Sequence, residues 1–144
     1  MRKAFTLIEL VIVILILGIL AGVAAPKMFN VSDSATDNGV KESLTIVRDA
    51  IDRFTAASGT RPGADGNEAT FKSDLTPYVR HFPVLPVGPA AAQDDAVLMS
   101  GGAGPPSGEA SPTEGWKYYF NTGDFIINVH EPLKIDGAVH YDEL

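Results

Sequence analysis

FTLIELVIVILILGILAGVAA, residues Phe5 to Ala25, is an unbroken apolar run in which Thr6 and Glu9 alone carry clearly polar side chains. As an α-helix rising about 1.5 Å per residue it spans roughly 30 Å, the thickness of a bilayer's hydrocarbon core. Arg2 and Lys3 precede the run, whereas Lys27, Asp33 and Asp37 follow it. The positive-inside bias therefore predicts a cytoplasmic N-terminus and an exported remainder. The whole chain has 144 residues, 45% apolar and 20% charged, which suits one domain with one modest core rather than a two-domain enzyme. Its 18 acidic residues against 11 basic ones give a net charge of -7, which disfavours nucleic-acid binding. The absence of cysteine excludes a disulfide framework, thiolate metal sites and a Cys nucleophile.

Three readings of the apolar run compete: a cleaved secretory signal, a plain anchor, and an anchor with a further task. Gly22-Val23-Ala24 and Val23-Ala24-Ala25 would pass as signal-peptidase sites, but the run exceeds the usual apolar stretch of a secretory signal. Glu9 also costs up to roughly 3 kcal/mol at membrane depth. A plain signal or anchor has no reason to carry it.

Lys3-Ala4-Phe5-Thr6-Leu7-Ile8-Glu9-Leu10 resembles the processing site of type IV prepilins and type II secretion pseudopilins: a short basic leader, a small residue, Phe, and Glu four residues later. Ala4 stands where that family usually has Gly. Gly18 and Pro26 fall where pilin helices carry a glycine and a proline. The resemblance implies a leader at 1-4, a transmembrane and polymerisation helix at 5-28, and an exported globular head at 29-144. It also implies cleavage by prepilin peptidase between Ala4 and Phe5, N-methylation of Phe5, and filament assembly through Glu9. After such a cut, the Phe5 ammonium and the Glu9 carboxylate are opposite charges at i and i+4 in an apolar helix. Pairing between neighbouring chains, the use the family makes of them, would fix the axial stagger of packed helices.

Beyond Met28 the pattern becomes one-sided. Val40, Leu44, Val47, Ile51 and Phe54 form a helical stripe, with Lys41, Glu42, Arg48, Asp49, Asp52 and Arg53 on faces expected to be solvated. Gly59 and Pro62 supply a stop, so one helix is predicted from about Phe5 to Ala57. Gly18, Gly22 and Pro26 mark its weakest stretch, a kink or a site that melts during assembly. Asp65 and Glu68 resemble a capping box for a second helix, renewed at Pro77 after Thr76. His81 to Gly88 reads as a proline-punctuated extended connector, and residues 88 to 115 as a long loop with one strand at Ala96 to Met99. Trp116 to Phe120 and Phe125 to Val129 predict a hairpin turned at Gly123, and Asp136-Gly137 a weaker one between Leu133 and Tyr141. The fold class is α+β and pilin-like: a long N-terminal helix, transmembrane in its first half and amphipathic in its second, packed on a small antiparallel sheet.

Candidate chemistry is sparse. Asp94, Asp95, Glu109 and Glu114 match no calcium-ligand spacing, and Gly63-Ala64-Asp65-Gly66 lies before the sheet rather than in a loop after it. His81, His130 and His140 read as surface residues, and Gly101 to Gly104 as linker rather than a phosphate cradle. No metal, cofactor or catalytic residue is expected. The resemblance implies a structural subunit of a type IV pilus-like or type II secretion filament. Its partners would be other pilin-like subunits, prepilin peptidase, an inner-membrane assembly platform, and membrane lipid before assembly, with no nucleic acid. Its location would be the bacterial inner membrane, single-pass, with a periplasmic or extracellular head. The alternative is an exported calcium- or carbohydrate-binding module released by signal peptidase near Ala24 or Ala25.

Overall fold

The computed structural model describes residues 5-102 and 105-144. Helix α1, Leu7–Ser58, runs without interruption for 52 residues, from two residues after the expected start to one after the expected end. Thr6 caps its N-terminus and Gly59 its C-terminus, where φ of 75° lets the Gly59 N–H reach the Thr55 carbonyl at 2.9 Å. The two halves differ in what covers them. From Leu7 to Leu20 every large apolar side chain is exposed, whereas Val40, Leu44, Val47, Ala50 and Ile51 are buried in the head. The predicted stripe thus faces the core.

Helix α2, Glu68–Leu75, packs Phe71 and Leu75 into the same core. Its start differs from expectation. Asn67 is the cap, accepting from the Ala69 N–H at 2.8 Å, while Asp65 accepts from the Asn67 N–H and the Thr70 hydroxyl. Glu68 is the first helical residue, so its carboxylate cannot reach back as a capping box requires. It instead accepts from the Val97 N–H at 2.9 Å and pairs with Lys72 at 2.9 Å. No helix resumes at Pro77; residues 76-78 form turns.

Strands β1 (Val97–Ser100), β2 (Trp116–Tyr119) and β3 (Phe125–Ile127) form one sheet in that order. The α+β architecture is as expected, but the sheet is mixed rather than antiparallel. β2 and β3 make the predicted hairpin, with Trp116 opposite Ile127 and Gly123 at φ 93°. β1 lies parallel to β2, Val97 opposite Trp116. A parallel pair needs a crossover, and the Gly- and Pro-rich stretch 101-115 provides it. The last expected hairpin is reduced to one antiparallel bridge, Pro132 to His140, with the Leu133 N–H on the Val139 carbonyl. The connector is held at one end by the Trp116 indole N–H, which donates to the Pro83 carbonyl at 2.9 Å. Trp116, Tyr118, Phe71 and Phe125 form an aromatic centre, with Phe71 and Tyr118 at 4.4 Å and Trp116 and Phe125 stacked at 5.2 Å. Burial pushes the Tyr118 hydroxyl up to about 12, with the Arg61 charge opposing.

Two polar residues of α1 bind the C-terminal segment to the helix. Arg48, expected on a solvated face, is half-buried and donates to the Phe125 carbonyl at 3.0 Å and the Leu144 carbonyl at 2.9 Å. Asp37 is buried and accepts from the Tyr141 hydroxyl at 2.5 Å, the Ile135 N–H at 3.0 Å and the Lys134 N–H at 3.4 Å. Burial alone would raise the Asp37 carboxyl, but these donors outweigh it and hold the group below its ordinary range. A lowered folded pKa adds stability that is present above the unfolded value near 4 and is lost as pH falls through the folded one. Asp37→Ala is therefore expected to cost about 3 kcal/mol at pH 7, because a buried hydroxyl loses its acceptor. Urea melts of both proteins at pH 7 and pH 3 check this: the difference must shrink at the acid end.

Candidate functional site

The chain's two ends of chemistry lie at the start of α1 and on the exposed face that follows. Thr6-Leu7-Ile8-Glu9 is a complete capping box: Glu9 Oε2 accepts from the Thr6 N–H and the Thr6 hydroxyl, both at 2.8 Å, while the Glu9 N–H donates to Thr6 Oγ1 at 3.3 Å. The carboxylate of a single chain thus has local partners, and it sits in the first turn, where the helix dipole favours a negative charge. Sequence reasoning missed the role of Thr6, although its signal, Thr followed three residues later by Glu before an apolar run, was present.

Phe5 is exposed, and Ala4 lies outside the described residues. Leu7–Ala24, which includes Glu9, is long and apolar enough to cross a membrane, and none of it is buried by the rest of the chain. Val11, Ile14, Leu15 and Ile19 surround a notch left by Gly18. A Cβ added at Gly18 or Gly22 would meet nothing within 4 Å, so no contact inside the chain requires either glycine. The backbone of α1 continues helically through Pro26.

The other candidates are dispersed. Asp94 accepts from the Ala96 and Gly115 N–H groups, Asp95 pairs with Lys72, Glu109 with Lys117, and Glu114 accepts from the Thr113 hydroxyl. The acidic loop does not converge on one point. The fold does bring together His130 and His140, whose rings stack at 4.3 Å, with His130 Nδ1 3.0 Å from the Asp142 carboxylate. Among the described residues no group of three or more His, Asp or Glu is arranged to hold a metal ion.

The family model of the prokaryotic N-terminal methylation motif matches residues 1-25. The type IV narrow pilus major component PilA5 of Thermus thermophilus is 40% identical over 63 residues, covering 44% of this chain and 54% of that protein. The chain thus carries the methylation motif at its N-terminus and resembles a type IV pilin over 63 residues. Type II secretion system core protein G is also similar: that of Klebsiella michiganensis is 29% identical over 84 residues, covering 57% of this chain and 59% of that protein. The same protein of Klebsiella pneumoniae is 27% identical over 84 residues, covering 57% and 60%. The chain spans between half and three fifths of the length of these curated relatives. No solved structure matches it. An exposed apolar helix carrying the methylation motif fits a membrane-anchored pilin or pseudopilin.

Proposed function

We propose that the protein is a filament subunit that is inserted in the inner membrane with residues 1-4 cytoplasmic, is cut between Ala4 and Phe5 by prepilin peptidase, and polymerises through α1. The observation that carries this reading is the single helix whose first half is wholly uncovered while its second half is built into the head core. A helix apolar on all sides requires lipid or other helices around it. It exchanges one for the other on assembly, an assembly platform drawing the subunit out of the bilayer. The Gly18 notch supplies a place where a neighbouring helix can approach closely. Glu9 then leaves Thr6 and pairs with the methylated Phe5 ammonium of an adjacent subunit, and the turns at Gly18, Gly22 and Pro26 absorb the bending this demands.

Cleavage removes Arg2 and Lys3, so the formal side-chain charge moves from -7 to -9. Mass spectrometry and N-terminal sequencing of protein from the native membrane are expected to find a mature chain starting at N-methylated Phe5. A mature start at Ala25 or Pro26 would show a signal-peptidase product and overturn the filament reading.

A further inference from the structure

The underside of the head carries a feature that helix polymerisation does not use. Among the α1 residues whose burial is described, Asp37 is the first to be buried, and by accepting from the Lys134 and Ile135 N–H groups it hangs the 134-138 loop beside the helical turns below it. There Lys134 and Ile135 form one side of an open cleft, and Lys27, Val31 and Ser34 form the other. The lining holds two ammonium groups, one hydroxyl and two aliphatic side chains, with no carboxylate. Val31 and Ile135 are 69% and 52% exposed. Among the described residues the lysine ion pairs are made by Lys72 and Lys117, not by Lys27 or Lys134. In a chain of net charge -7, this is a cationic, half-apolar cleft whose charge calls for an anion from outside.

Its position says which anion. Lys27 follows the apolar window Leu7–Ala24 by three residues, about 4.5 Å along the helix axis. The headgroup layer extends roughly 5-8 Å beyond the hydrocarbon on each side. The Lys27 ammonium therefore stands among headgroups, and the long Lys134 side chain reaches towards the same layer from above. A phosphate in that layer is the anion that the two lysines of the cleft would meet.

We infer that the cleft binds the phosphate of an anionic membrane phospholipid before assembly, seating the head on the bilayer surface through Lys27 and Lys134. The inference rests on the membrane insertion set out under Proposed function and adds the lipid class and the residues that select it.

The lack of cysteine allows a single reporter. Ala138→Cys, in the exposed loop, is labelled with a fluorophore, and the full chain is reconstituted in phosphatidylcholine vesicles with or without phosphatidylglycerol, each holding the same fraction of a headgroup-quencher lipid. Phosphatidylglycerol is expected to increase quenching. Each lysine at an anionic surface is worth about fivefold in such an equilibrium, so Lys27→Gln with Lys134→Gln should reduce docking about 25-fold. Flotation with vesicles should be unchanged, because the apolar helix is intact. Equal quenching in both lipids, or its retention in the double variant, overturns the site. Competition by inorganic phosphate would assign the cleft to a free anion, and quenching that depends on protein density to a second copy; either result overturns the lipid. A chain that floats without lipid-dependent quenching refutes the cleft alone, whereas one that does not float refutes membrane insertion and the cleft together.

Discussion

Replacing Glu9 by leucine is expected to abolish filaments while leaving membrane insertion and the Phe5 terminus in place. The substitution removes a carboxylate whose burial in a membrane costs up to roughly 3 kcal/mol, so insertion is unchanged or improved. The cut lies outside the Glu9 pair and should proceed. In the filament, however, the ammonium of an adjacent Phe5 would be left in a low-dielectric core without its partner. Removing one member of a buried ion pair costs about 3-5 kcal/mol, which is 100-fold or more in each subunit-addition equilibrium. The capping box sharpens the expectation. The Thr6 N–H and hydroxyl hold Glu9 Oε2 in the single chain at 2.8 Å, so an intermolecular pair would compete with a contact already made. Membrane fraction, mature N-terminus and sheared filaments should be compared under matched expression. Normal yield and regular helical order in Glu9→Leu would mean that Glu9 does not set the stagger.

Val47→Asp is expected to unfold the head. Val47 has no exposed surface and lies midway along the stripe that α1 buries. An unpaired carboxylate there costs more than about 4 kcal/mol, comparable with the whole stability of a small domain. In a soluble protein spanning residues 30-144, freed of the apolar segment, the wild type should melt cooperatively and the variant should show no transition. An unchanged melt would place Val47 outside the core.

The long helix and its two regimes were legible because each has a strong periodic signature: apolar on every side up to Ala25, then apolar at spacings of three and four. The β2-β3 hairpin was legible for a similar reason, two aromatic and β-branched runs about a glycine suited to positive φ. The parallel placement of β1 was not, since four residues of ordinary strand composition do not encode the direction of their neighbour. Asp37 shows a subtler loss. It sits three residues before Val40, on the same stripe, yet a carboxylate at a core position reads as surface until its donors, about 100 residues away, are known. Arg48 was missed likewise: its partners are carbonyls, which every residue carries. At the proposed assembly site, Glu9 stood out by its cost in a membrane, whereas Thr6 was hidden by the ordinariness of a threonine at a helix start.

The continuity of α1 has a mechanical meaning. A helix of 52 residues is a rod about 78 Å long, and its upper part is clamped to the sheet. An axial pull at its buried end moves the head by the same distance, and a twist at one end arrives at the other, with no slack linker to dissipate either. In the proposed filament, a stagger set by the N-terminal turns would therefore dictate both the spacing and the azimuth of the heads. Were such a filament stretched beyond that rigid regime, the rod would yield first where Pro26 withholds the hydrogen bond that the Gly22 carbonyl would otherwise receive. Stretching would thus be taken up low on the rod, with the head still folded while its tether extends.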